Sequence, residues 1–294
     1  MHEQWIVKKH KHIDTLINRA ILASGFAPDS SSAHSAAQFH LQSGGGAARA
    51  HITKSIGLAT SLSHQDIALL SASVELLHNA SLVHDDLIDR DEVRRNQTAV
   101  WKKFGDNTAI CCGDLLIARA FSACAALSDS SRGAACIQLV SGAIEKTIYG
   151  QSLDLSYTDW KTITEQQYRD TLMQKTFPLL ALSFQLPLVY ANAEYDEARV
   201  FEMVKSFALA YQLLDDLSDQ QKDSRANRCN YVNLLALTLP REQAMARTHA
   251  EVIRALAHCT TLAQQMPEVI TAAIQPHVDR LGCEIKLIIP AVSV

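Results

Sequence analysis

The sequence predicts an all-helical protein, on three observations. Ala and Leu, both strong helix formers, dominate the 294 residues. Glycine and proline, the residues that punctuate a chain, number only 11 and 7, about half their usual combined share. Aromatic residues make up 6%, too few for the patterned strands of a sandwich, a barrel or a Rossmann-type sheet. The length admits one large domain or two small ones. No low-complexity linker divides the chain, so the expectation is a single domain over residues 1–294 with about ten helices, the first 20 or so residues being peripheral.

The elements follow in order. Ser30–Ala50 reads as a loop leading into a helix start, broken at Gly44-Gly45-Gly46. From His64, Ile67, Leu70, Val74, Leu77 and Ser81 recur at three and four, one face of a helix that runs to about Asp89. Asp106 is placed as the cap of a helix through Arg119. Glu145–Leu155 is helical, and Gln166–Leu186 forms a long helix kinked at its prolines. Phe201, Val204, Ala208, Tyr211 and Asp215 make a further stripe. The most apolar window, Phe177–Ala191, is too short to span a bilayer and contains Pro178 and Pro187. It is read as a buried core helix.

Charge and cysteine content exclude several classes. A net charge of −4 and a pI near 6.3 argue against a nucleic-acid binder driven by phosphate contacts. The seven cysteines are scattered with no C-x-x-C pair, which supports neither a zinc site nor a disulfide framework. The opening MHEQWIVKKHKHI has no apolar run of signal-peptide length. A reducing, cytoplasmic setting without membrane insertion is expected. His2, His10, His12, His34 and His40 are expected at the surface, and His78 in the core or a site.

One feature repeats. Asp85-Asp86-Leu87-Ile88-Asp89 and Asp215-Asp216-Leu217-Ser218-Asp219 share the pattern D-D-L-x-D, each at the expected C-terminal end of an apolar helical stripe. Asp85 and Asp89 share a helix face, as do Asp215 and Asp219. Carboxylates about 5 Å apart repel by roughly 3 kcal/mol at an effective dielectric near 20, and helix C-termini disfavour negative charge. Such a cluster is either a solvated helix end or a cation site. Two matched copies favour cations, and oxygen-only donors favour Mg²⁺, which completes its shell with water and substrate phosphates. The physical reading is a diphosphate held through metal ions between two facing clusters. A ferritin-like di-metal site would need Glu-x-x-His pairs that the sequence does not supply.

The chain resembles the trans (E)-isoprenyl diphosphate synthases, the farnesyl and geranylgeranyl diphosphate synthase family, from about Gly44 to Leu237. Glu75 through Asp86 resembles the family's first aspartate-rich region, Arg94-Arg95 its paired arginines, and Gly113-Asp114-Leu115-Leu116 its G-D-L-L helix. Gly150-Gln151 through Asp154, Lys175-Thr176 and Tyr211-Gln212-Leu213-Leu214-Asp215-Asp216 resemble later motifs in the right order. The resemblance implies an isoprenoid synthase-type helical bundle around a deep central cavity, a homodimer, and ionisation of an allylic prenyl diphosphate with diphosphate released. It implies Mg²⁺, three ions in all with Mn²⁺ as a substitute, on Asp85, Asp89 and Asp215. Asp86, Asp216 and Asp219 complete the clusters. Arg94 and Lys175 would hold diphosphate oxygens, with Lys205 as a helper. Thr176, Gln212 and Tyr211 would steady the allylic cation by dipoles and π density. Arg95, His78 and Arg49 would face the acceptor, and Arg228 stands where the family has a second loop lysine. Asp154 is either a site residue or a polar partner in the bundle. The small Ala80 and Ser81, five and four residues before Asp85, would leave room for a long prenyl tail.

The chain departs from the family at two places. Where the family has GGKRxRP, this chain reads Gly44-Gly45-Gly46-Ala47-Ala48-Arg49-Ala50. Two cations expected to hold isopentenyl diphosphate are missing, at roughly 1.5–3 kcal/mol each. After Asp219, the segment Gln220–Asn227 is short and lacks a Gly-Lys pair. Four readings stay open: a chain-elongating synthase, prenyl transfer to another acceptor, a terpene cyclase-like enzyme, and a non-catalytic regulatory subunit.

Overall fold

The longest apolar stripe in the sequence becomes the helix on which the first part of the chain is assembled. In a computed structural model, which describes residues 12–21 and 32–288, that helix is α4 (His64–Asp89). Its start is fixed by Ser63, whose hydroxyl oxygen accepts the Asp66 N–H at 3.0 Å, an N-cap of the usual kind. Asp66 in turn accepts the Ser128 N–H at 2.9 Å and the Ser128 hydroxyl at 2.7 Å, which joins the helix start to the end of α6. Ile67, Leu70, Val74 and Leu77 are all buried, as the spacing requires.

The described residues form twelve α-helices and one two-strand hairpin. Before α4 come α1 (12–21), α2 (Ser32–Gln42) and α3 (Ala48–Ala59). After it come β1 (Val93–Arg94), β2 (Gln97–Thr98), α5 (Val100–Phe104) and α6 (Asp106–Ala125). The strands pair antiparallel, Val93 with Thr98 and Arg94 with Gln97. Then follow α7 (Ser130–Ser156), α8 (Glu165–Tyr190), α9 (Glu197–Arg225), α10 (Tyr231–Leu235), α11 (Arg241–Ala263) and α12 (Glu268–Ile288).

Packing divides the chain into two units. The first comprises Met1–Ser141 and Leu182–Ala193; the second comprises Gly142–Ala181 and Glu194–Val294. Two of the three boundaries fall inside helices, α7 and α8, and the third falls in the turn between α8 and α9. In the first unit α4 packs against α3 and α6, and α2 packs against α6 and α5. Ile13 and Ile17 of α1 are buried against Ile67 and Ala68, and Lys54 on α3 pairs with Asp14 at 2.5 Å. In the second unit α9 packs against α10, α11 and α12. A polar knot holds α8 to α10 and α11: Arg169 bonds both Glu251 and the Tyr231 hydroxyl, and that hydroxyl donates to Glu251 at 2.9 Å.

Several elements differ from expectation. Part of the expected loop at 30–50 is α2, because Ala36, Ala37 and His40 lie on one face and bury against neighbouring helices. His40 is therefore 4% exposed and not a surface histidine; His2 and His10 lie outside the described residues. The glycine break stands, with Gly44 at φ 72° and Gly45 at φ 153°. Asp106 is the first residue of α6 and Gly105 its cap; its carboxylate instead accepts from Arg90 at 2.9 and 3.0 Å. α6 runs on to Ala125, and Glu145–Leu155 is only the end of α7. α8 is continuous through Pro178 and Pro187. Among the described residues α6 alone is long and apolar enough to cross a membrane.

Candidate active site

In the first unit the aspartate motif forms the last turn of α4, and the helix sorts its three carboxylates. Asp85 is half-buried, Asp89 is exposed, and Asp86 is 1% exposed. Arg90 ends the helix in the left-handed conformation, φ 57°. The chain then turns back through the hairpin, which returns Arg94 to Asp86. Its Nε and Nη2 donate to Asp86 Oδ1 at 2.8 and 2.5 Å. Asp86 Oδ2 is buried with no hydrogen-bond partner. Burial raises the Asp86 carboxyl above its ordinary range against the pull of Arg94.

A basic cluster lies on the same unit. Arg95 Nη1 donates to the Gly44 carbonyl and, at 3.3 Å, to Asn79 Oδ1. A Cβ at Gly45 would fall 2.6 Å from the Arg95 guanidinium carbon, so the glycine makes this contact possible. His40 Nε2 lies 3.1 Å from the same Asn79 oxygen. Burial, with Arg95 next, lowers His40 to about 4. Burial and the neighbouring Arg49 and Arg95 push His78 well below its ordinary value. Both imidazoles are thus held neutral. Ala80 is buried, while Ser81 is half-buried and donates to the His78 carbonyl at 2.8 Å.

The second unit repeats the sorting. Asp215 and Asp219 are exposed and Asp216 is 5% exposed. Asp216 Oδ2 accepts the Tyr168 hydroxyl and, at 2.9 Å, the Tyr231 N–H. Burial raises Asp216 to about 7, although bonds from Tyr168, Tyr231 and Gln212 favour its charged form. Asn230 Nδ2 donates to the Asp216 carbonyl at 2.9 Å and to Asp223 Oδ2 at 2.8 Å. The second motif does not end its helix as expected: α9 continues to Arg225, because Leu213, Leu214, Leu217 and Gln220 keep one face buried.

Lys175 on α8 reaches Asp154 on α7 at 3.4 Å. The approach depends on Gly150, where a Cβ would fall 2.5 Å from the backbone of Gln174 and Lys175. Thr176 is half-buried beside Lys175 and Arg228 is half-buried. Lys205 lies over the Phe177 ring, 5.6 Å from its centre. Tyr211, Leu214, Asp215 and Ser218 line a cavity of about 430 Å³ with Arg280 and Glu284 of α12.

The donor set fits Mg²⁺. Among the described residues no three His, Cys, Asp or Glu side chains converge on one ion position. Each motif instead offers two aspartates at i and i+4 with its middle carboxylate turned inward. One or two carboxylates are what Mg²⁺ takes from protein when water and phosphate oxygens supply the rest.

Residues 31–275 match the sequence profile of the family described as Polyprenyl synthetase. The chain belongs to the polyprenyl synthetase family. A short chain isoprenyl diphosphate synthase of Methanocaldococcus jannaschii is 32% identical over 162 residues, 55% of this chain and 49% of the relative. A geranylgeranyl diphosphate synthase of Methanosarcina mazei is 26% identical over 216 residues, 73% of this chain and 65% of the relative. The chain thus spans about half to two thirds of the length of these curated relatives. The solved geranylgeranyl pyrophosphate synthetase of Geoglobus acetivorans superposes with a TM-score of 0.79 at 21% identity, over 92% of this chain and 98% of that one. The likeness establishes the helical fold of an isoprenyl synthase.

In this member of the family, sequence reasoning did not find Tyr168, Tyr231 or His40. Tyr168 and Tyr231 meet Asp216 from 48 and 15 residues away, a distance no local pattern encodes. A signal was present at Asp216 itself, since Leu213 and Leu217, at helical spacing, flank it on the side of α9 that is buried, whereas Tyr211 and Asp215 of the expected stripe are exposed.

Proposed function

We propose that this protein is a Mg²⁺-dependent prenyltransferase that ionises an allylic prenyl diphosphate and couples it to an acceptor, in (E)-prenyl diphosphate chain elongation. The observation that carries this reading is the sorting of D-D-L-x-D, two carboxylates outward and one inward, on a helix of each unit. Membership of the polyprenyl synthetase family and the synthase names of its relatives support it. Asp85, Asp89 and Asp215 would hold the metal, with Asp219 beside them. When bound, the ions offset the charge that develops on the departing diphosphate. Mn²⁺ would substitute, and three ions are expected.

The C–O bond of the allylic diphosphate breaks and its electron pair leaves with the diphosphate. The acceptor alkene supplies two electrons to the new C–C bond, and the proton lost afterwards goes to released diphosphate. Lys175 and Arg94 are assigned to diphosphate oxygens, each already set by a carboxylate, Asp154 and Asp86. Thr176 and the exposed Tyr211 would face the cation. Gln212 serves first to bond Asp216. A homodimer in the cytoplasm goes with this reading, supported by the family and by seven free cysteines.

A second reading, prenyl transfer to an acceptor other than isopentenyl diphosphate, is favoured by one observation. Gly46 and Ala47 supply no cation, and Arg95 is engaged with the Gly44 carbonyl. One experiment tests both. The protein is incubated with five-, ten-, fifteen- and twenty-carbon allylic diphosphates and Mg²⁺, with and without isopentenyl diphosphate, and the products are identified. Longer prenyl diphosphates formed only with isopentenyl diphosphate support chain elongation. Diphosphate release without elongation supports the second reading, and no turnover of any allylic diphosphate overturns both.

A further inference from the structure

The buried half of the second aspartate motif is held from three sides. Tyr168, in the first turn of α8 and 9% exposed, donates its hydroxyl to Asp216 Oδ2. The Tyr231 N–H reaches the same oxygen at 2.9 Å from α10. Asn230, 0% exposed, places its Nδ2 2.9 Å from the Asp216 carbonyl and 2.8 Å from Oδ2 of Asp223, about two turns further along α9. The Tyr168 and Tyr231 rings pack against each other, their centres 5.4 Å apart.

A core position needs no such group. Asp216 lies beside the buried Leu213, Leu217 and Gln220 of α9, where an aliphatic side chain would pack at no desolvation cost. What the carboxylate adds is direction. Hydrogen bonds from a fixed hydroxyl, a fixed N–H and a fixed amide set the rotation of one helical turn more narrowly than apolar packing does. The residue before Asp216 and the residue three after it are the outward aspartates. At 3.6 residues per turn, rotation of this turn carries both carboxylates with it.

We propose that Tyr168 is a positioning residue for the second aspartate pair: its hydroxyl, with Asn230, locks the α9 turn so that Asp215 and Asp219 present their carboxylates together to a metal–diphosphate ligand. This inference rests on the proposed metal-dependent reading of the site. It adds a residue outside the D-D-L-x-D motif and assigns it work through Asp216 without contact to ligand.

The test uses the full chain and Mn²⁺ with inorganic diphosphate as the probe, binding being followed by electron paramagnetic resonance. Three variants are compared with wild type. Tyr168→Phe keeps the ring and removes only the hydroxyl. Asn230→Ala removes the second tie. Val252→Ala, in the buried face of α11, lowers stability without touching the lock. Circular dichroism and thermal midpoints report folding. Tyr168→Phe and Asn230→Ala are each expected to weaken Mn²⁺ binding five- to twentyfold, while Val252→Ala leaves it within twofold despite a comparable fall in midpoint. In turnover, Tyr168→Phe is expected to raise the Mg²⁺ concentration for half-maximal rate more than it lowers kcat. If Tyr168→Phe binds Mn²⁺ like wild type, or if Val252→Ala weakens binding equally, the positioning role is overturned. If wild type itself fails to bind Mn²⁺ with diphosphate, the metal-dependent reading falls and the inference with it. Should Tyr168→Phe not fold, Asn230→Ala decides the matter by the same criterion.

Discussion

Within each aspartate motif neighbouring carboxylates meet opposite environments, and their roles divide accordingly. The exposed Asp89, Asp215 and Asp219 and the half-buried Asp85 lie in reach of water and ligand, whereas Asp86 and Asp216 are enclosed. Asp85→Ala and Asp215→Ala are expected to fold with unchanged circular dichroism and to lower prenyl transfer at least a hundredfold. Near wild-type rates in either folded variant, or full activity in excess chelator, would remove the metal from the reaction. The enclosed Asp216 predicts a pH effect. Its carboxyl titrates near 7 in the fold against an ordinary 3.8, so the folded state binds the proton more tightly than the unfolded chain does. The resulting stabilisation is complete below about pH 4 and is lost as pH rises toward 7, a change of a few kcal/mol. Metal-free Asp216→Asn has no proton to lose there. Its thermal midpoint relative to wild type is therefore expected to rise between pH 5 and pH 8, and a constant difference would show that Asp216 is not protonated in the fold.

Helices read easily where an apolar stripe was long, and poorly where small residues carried the packing. α4 was legible because Ile67, Leu70, Val74 and Leu77 repeat at helical spacing. α2 was not, since Ala36 and Ala37 contribute little hydrophobic contrast and Ser and Gly around them suggest a loop. The end of α9 was misplaced because a run of acidic residues looks like a helix terminus, while Leu217 and Gln220 on the buried face carry the helix onward. Close helix approaches were invisible for another reason: a glycine in a helix signals only a lower propensity, not the neighbour that needs its space. Gly150 and Gly142 on α7 separate the two cases. A Cβ at Gly150 meets the α8 backbone at 2.5 Å, whereas a Cβ at Gly142 meets nothing within 4 Å. Gly150→Ala is expected to destabilise by about 1–3 kcal/mol and to depress activity by moving Lys175 from Asp154. Gly142→Ala is expected to be neutral or to stabilise by up to roughly 1 kcal/mol. Equal thermal midpoints for the two variants would refute the close-approach account.

Across the whole chain, the order of the motifs was the most legible property, and the matched family profile over residues 31–275 agrees with it. Each motif is a short run of chemically distinctive residues, so its place survives where helix limits blur. The grouping into two units was not legible, because two of its three boundaries lie within α7 and α8 and the third lies in a short turn after α8 that does not read as a linker. The acceptor-side changes could be read as missing charges at Gly46 and Ala47, but the engagement of Arg95 with Gly44 could not.

The first aspartate motif closes its helix at Arg90, whereas the second is followed by further helix to Arg225. A terminal turn frays and an internal one does not. Amide deuteration should therefore be faster across Asp85–Arg95 than across Asp215–Asp219 in the unliganded protein. Adding Mn²⁺ and diphosphate should slow exchange more at the first motif, which has more disorder to lose. The two halves of one recognition pattern would then differ in kinetics, the second preformed and the first ordered on capture. Equal protection of both stretches before ligand is added would show that the hairpin secures the α4 terminus as firmly as continuing helix secures α9.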